Sequence, residues 1–275
     1  MNGSVRAELL VIRKRASTWI LLAIWTALAL VFAYAVPYVG YLNDSQGASL
    51  DEVLPQNLVG TLMGGFPFFG GVLALMLGVL AIGSEYGWGT LKTLLTQRPG
   101  RLQVFGAKLI ALAAALAVFV LVVFALGALS SYAIAVREGA GVDWPSTWLL
   151  VRALAAGWLI LAVWATLGVL LAVLFRGTAL ATGVGILYAF VIEGLLSALA
   201  TQVSVLDRLV EFFVRASGYS LVLPLGVSSD DLGDRGPGSF SGPFVDGEQA
   251  VLVLAAYLAM FVVVAGLLLR RRDVL

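Results

Sequence analysis

From Leu109 to Val136 the chain carries no charged side chain, and five other stretches behave alike. They are Ala16 to Asn43, Val53 to Ser84, Ala153 to Phe175, Gly177 to Leu206 with Glu193 as its single charge, and Gln249 to Leu269. A bilayer core about 30 Å thick is crossed by about 20 apolar residues in helical form, and each run is at least that long. Backbone groups at that depth find no water, so a crossing segment closes its own hydrogen bonds as a helix. The strands of a membrane barrel would show short alternating segments instead. With 61% hydrophobic and 12% charged residues, the chain cannot clothe a soluble globule. The expected fold is an all-α integral membrane protein forming one transmembrane domain over residues 1–275, with spans near 17–38, 58–83, 105–134, 150–175, 178–201 and 249–269.

Orientation follows from Lys and Arg, which concentrate in cytoplasmic loops. With both termini inside, the inner set is Arg6, Arg13, Lys14, Arg15, Lys92, Arg98, Arg101, Lys108, Arg176, Arg270, Arg271 and Arg272, leaving Arg137, Arg152, Arg208, Arg215 and Arg235 outside. Most acidic residues fall on the outer side, so the net charge of +1 conceals a strong asymmetry. The expected location is the cell's inner (cytoplasmic) membrane, multi-pass, with both termini cytoplasmic and lipid rather than nucleic acid around the chain.

Several chemistries are closed off. The sequence holds no Cys and no His, which excludes disulfides, thiolate ligands and imidazole catalysis. It has no Gly-x-x-x-x-Gly-Lys-Ser/Thr phosphate loop, because Gly100 to Lys108 has the wrong spacing and runs into an apolar helix. No cofactor, metal or catalytic residue is expected on this chain. No small-residue cleavage site follows the first run, which is expected to be retained as a helix.

Val5, Leu9 and Ile12 recur at helical spacing ahead of the first span, which suits a short helix at the inner headgroups. An ordinary basic flank would look the same. The second span is crowded with Gly60, Gly64, Gly65, Gly70, Gly71, Gly78 and Gly83 around Pro67. Small residues permit close helix packing, and a mid-span Pro removes a backbone hydrogen bond. Passive packing and a deformable element both fit that pattern. Trp144 and Trp148 flank the outer interface as indole anchors. Arg176 and Gly177 make so short a turn that spans four and five are expected to be antiparallel neighbours.

Glu193 is the one charge inside an apolar run. Counted from Arg176 at about 1.5 Å per residue, it sits about 25 Å from the inner surface, near the outer headgroups. It could reach water or interfacial partners there, or stand at the outer end of a substrate path. Residues 202–248 form the largest external segment. In its first part Ser204, Arg208, Glu211 and Arg215 share one helical face and Leu206, Leu209, Val210 and Phe213 the other, with Glu211 and Arg215 spaced for a surface pair. An external amphipathic or re-entrant helix is expected before span six. Asp230, Asp231 and Asp234 lack the spacing of a calcium loop and read as a solvated acidic turn.

The polar break between spans two and three, Ser84 to Lys108, is the longest internal segment on the cytoplasmic side. Trp88, Leu91 and Leu95 fall at helical spacing with Leu94 beside them, Glu85 precedes them and Pro99-Gly100 ends the pattern. A short helix over 85–97 follows. Its apolar face could lie in the inner headgroups or dock on another protein.

Glu85, Gly89-Thr90, Leu94-Leu95, Pro99, Arg101 and Lys108 together resemble the cytoplasmic loop of ABC-2 type transporter permeases, and six spans with both ends inside suit the same family. The resemblance implies the membrane subunit of an ATP-binding cassette exporter, not itself an enzyme. It would pair with a separate ATP-binding subunit in two copies, which would bind ATP and Mg, and with a second permease copy or a paralogue. The short helix would then be a cytoplasmic coupling helix. Trp88, Leu91 and Leu95 would fill a cleft in the ATPase, Glu85, Lys92 and Arg98 would make polar contacts at its rim, and Gly89, Thr90 and Arg101 complete the motif. An amphipathic or hydrophobic substrate, moved outward, fits the apolar spans better than a small ion. The alternative is an ATPase-independent secondary transporter or channel using Glu193, against which stands the absence of visible inverted repeats with broken helices.

Overall fold

A computed structural model of the chain describes residues 2–43, 49–87, 100–200, 210–227 and 244–271. All regular structure among them is helical. The order is α1 (Asn2–Lys14), α2 (Ala16–Leu42), α3 (Leu58–Met63), α4 (Phe66–Tyr86), α5 (Arg101–Glu138), α6 (Thr147–Phe175), α7 (Ala179–Ser197), α8 (Val214–Val222) and α9 (Gly247–Arg271). Six of these, α2, α4, α5, α6, α7 and α9, are long and apolar enough to cross a membrane.

Local chemistry sets several boundaries. Arg15 is extended at φ −75° and ψ 122°, which separates α1 from α2. Gly139 closes α5 at φ 65°, and its N–H bonds the Ala135 carbonyl, the usual left-handed stop. Ser146 caps α6 by accepting a hydrogen bond from the Leu149 N–H at 3.3 Å. Arg176 ends α6 in the left-handed region at φ 53°, and α7 begins at Ala179, so α6 and α7 lie side by side.

The expected second span over 58–83 is divided. α3 ends at Met63, a turn follows at Gly64 and Gly65, and α4 runs on to Tyr86. Pro67 lies in a π-helical turn, Phe66–Gly70, where the wider winding accommodates a residue that cannot donate a backbone bond.

The core is built on α4 and α6, the most extensively packed pair. From Ile160 to Val169 every residue of α6 is buried, so this helix is central rather than amphipathic. A Cβ on Gly78 would strike the Ala165 carbonyl, and one on Gly168 would strike that of Leu75, so the two backbones touch. Gly70 and Gly71 are occupied in the same way by the rings of Trp25 and Trp164. Trp144 and Trp148, in contrast, are exposed.

Two further π-helical turns interrupt α2 at Val31–Ala35 and α7 at Tyr188–Ile192. The three turns meet through their aromatics. Phe32 stacks on Phe69 with ring centres 5.8 Å apart, and Phe68 meets Phe190 edge-on at 4.7 Å.

Of the external segment before the last span, residues 210–227 and 244–248 are described. α8 packs against α9 and α6 and is buried almost throughout. Small residues allow this: Ser217, Gly218 and Ser220 face neighbouring chain, and the Ser220 hydroxyl accepts a bond from the Val245 N–H at 3.0 Å.

Candidate functional site

Two clusters of charge are enclosed by the helices. The first forms where α1, the end of α4 and the start of α5 converge. α5 carries Lys108 two turns from its beginning, and α1 lies along it. The Lys108 ammonium donates to both oxygens of Glu8, at 2.8 and 2.9 Å, and to Oε1 of Glu85. An ammonium has three protons, and each finds a carboxylate oxygen. Lys108 and Glu85 are both 5% exposed, so the charges attract with little screening by water. Next to them, Arg15 donates through Nη1 to the Leu80 carbonyl at 2.7 Å, which fixes the joint between α1 and α2 to α4.

Glu85, expected as a polar contact at the rim of a partner's cleft, faces the chain's own interior and is paired with Lys108. Trp88, Gly89, Thr90, Leu91, Lys92, Leu95 and Arg98, and with them most of the expected helix over 85–97, lie outside the described residues. Arg101 opens α5. Glu8 was not singled out from the sequence. The available signal was its oddity, an acid in an otherwise basic inner flank.

The second cluster joins α7 to α8. Glu193 has no exposed surface, and its two oxygens accept from the backbone N–H groups of Val214 and Arg215, each at 3.1 Å. The first N–H groups of a helix have no partner within it, and here a carboxylate from another helix supplies one, favoured also by the helix dipole. The Tyr188 hydroxyl adds a further bond to Glu193. Arg215 is 3% exposed, with its guanidinium 4.4 Å above the Phe68 ring and 5.7 Å from the centre of the Tyr219 ring. The cluster therefore touches two of the three π turns, at Phe68 and at Tyr188.

Glu211 and Arg215 do not form the expected surface pair. Glu211 lies in a turn ahead of α8, whose cap is Phe213, while Arg215 is drawn inward beside Glu193. Ser204, Leu206, Arg208 and Leu209 lie outside the described residues. The two oxygens of Glu193, the residue expected to reach water or interfacial partners or to stand on a substrate path, are committed to α8.

A comparison with curated proteins returned no match. A family model described as ABC-2 family transporter protein matches residues 4–274, nearly the whole chain. With six membrane-crossing helices in one bundle and a family match that spans all of them, the chain belongs to the ABC-2 family of transporter proteins.

Proposed function

We propose that this chain is the permease subunit of an ABC exporter, moving an amphipathic or hydrophobic substrate with energy from a separate ATP-binding subunit. The observation that carries this reading is the family match from residue 4 to residue 274 over six membrane-crossing helices. The sequence supplies no phosphate loop, so ATP binding falls to the partner. Two ATP-binding subunits would serve two permeases, identical copies or paralogues, with the substrate path between them. The Lys and Arg distribution supports cytoplasmic termini in the inner membrane and puts residues 88–99 within reach of the ATPase.

Residues 88–99 act as the coupling segment, with Trp88, Leu91 and Leu95 as apolar anchors and Lys92 and Arg98 as polar rim. ATP-driven closure of the partner presses on this segment, and the spans shift between inward-facing and outward-facing or closed states. Glu193 serves as a helix cap in this reading rather than as an ion-coupling group, because its oxygens are already committed.

The test is co-purification of the chain with the ATP-binding subunit encoded beside it. Changing Trp88 and Leu91 together to Ser should abolish the complex while leaving the chain folded in the membrane. Undiminished complex and coupled ATPase activity in that variant would overturn the coupling assignment.

A further inference from the structure

The cluster around Lys108 has a mechanical property that the family match does not contain. Glu85 lies near the end of α4, and Lys108 lies about two turns into α5. Their ion pair closes the base of the intervening segment. The same ammonium reaches Glu8 on α1, 100 residues away in sequence. Arg15 ties the adjoining joint to α4 through the Leu80 carbonyl.

We propose that Lys108 is a positioning residue for coupling: its ammonium ties α1, the inner end of α4 and the inner end of α5 into one rigid joint at the base of residues 88–99. A push on a segment with a loose base is absorbed by bending at that base. When both ends are pinned to each other and to a third helix, the push displaces α4, α5 and α1 together. Enclosure matters to the function, because a buried pair of this kind is little weakened by salt, and all three ammonium protons are used, which fixes direction as well as distance. Small shifts at such a joint pass into the packed helices because a packed core deforms little. Only the transmission step rests on the reading of residues 88–99 as the ATPase-docking segment; the joint itself rests on the geometry.

The chain has no cysteine, so paired spin labels can be placed without first removing any. Leu10 on α1 and Leu180 at the start of α7 are 53% and 58% exposed and lie outside the cluster. In the full chain in lipid nanodiscs, the Leu10→Cys/Leu180→Cys pair should give one narrow distance distribution. Lys108→Met should broaden it at least twofold, Glu8→Gln should do so to a lesser degree, and Lys108→Arg should restore most of the narrow form. An unchanged width in Lys108→Met and in Glu8→Gln would overturn the joint. Should Lys108→Met fail to fold, Glu8→Gln and Lys108→Arg decide alone.

In the complex with the ATP-binding subunit, the same pair is read before and after ATP with vanadate. The wild type should shift, and Lys108→Met should keep the complex and basal hydrolysis while losing at least half of the shift. A full shift in Lys108→Met would overturn the transmission role. A wild type that forms no such complex would remove the docking reading and the transmission role with it, and leave the joint to stand or fall on the nanodisc distances.

Discussion

Glu193 and Arg215 are joined twice over: the carboxylate of one accepts the backbone N–H of the other at 3.1 Å, and the guanidinium lies close enough to be attracted by the same carboxylate. Removing one member of an enclosed pair strands the other, which costs about 3–5 kcal/mol. Glu193→Ala and Arg215→Leu should each lower the thermal midpoint in detergent sharply, followed by fluorescence of the seven tryptophans. The double variant should lose less than the sum of the two, since it leaves no stranded charge. Strict additivity would show that the two side chains act independently.

Phe68 connects that pair to the π turns. It lies under the Arg215 guanidinium and against Phe190, and is 1% exposed. Phe68→Ala removes a ring from a packed position, a loss of about 3 kcal/mol, whereas Phe68→Tyr keeps the ring face. The alanine variant should destabilise the chain and the tyrosine variant much less. Equal effects would mean that the ring presented to Arg215 is not what the site depends on.

The backbone contact between α4 and α6 predicts an intolerance to one added methyl group. Gly78→Ala and Gly168→Ala both push a Cβ into a carbonyl of the facing helix, and overpacking typically costs about 1–3 kcal/mol. A carbonyl in a helix cannot swing aside, so the upper part of that range applies. The yield of monodisperse protein should fall in both variants, while Gly183→Ala, where nothing stands in the way, should behave as wild type.

Orientation can be checked with single cysteines in the cysteine-free chain. Ala140→Cys, in the connection from α5 to α6, should react with an impermeant maleimide in intact cells. Gly177→Cys, between α6 and α7, should react only after the membrane is opened. The reverse pattern would invert the topology and place residues 88–99 on the wrong side for an ATPase.

What the sequence disclosed, and what it hid, divides along the range of the forces involved. Each apolar run excludes charge locally, so six membrane-crossing helices could be read from neighbouring residues. The short turn at Arg176 and Gly177 was legible for the same reason. The Glu8 to Lys108 contact joins residues 100 apart, and neither periodicity nor spacing carries that information. The segment around Arg215 misled because polar residues at helical spacing usually face water. Here Arg215 of that face is buried beside Glu193 from another helix. The motif that Glu85 belongs to marks its region but says nothing of where its carboxylate turns.

The π turns in α2, α4 and α7 bear on how these helices present their surfaces. A π turn holds one residue more than an α turn would, and one residue of helix corresponds to about 100° about the axis. The stripe a helix shows below such a turn is therefore out of phase with the stripe above it by about a quarter of a revolution. Each of these three helices can turn one side to its neighbours in one half of its length and a different side in the other, without bending away from the bundle.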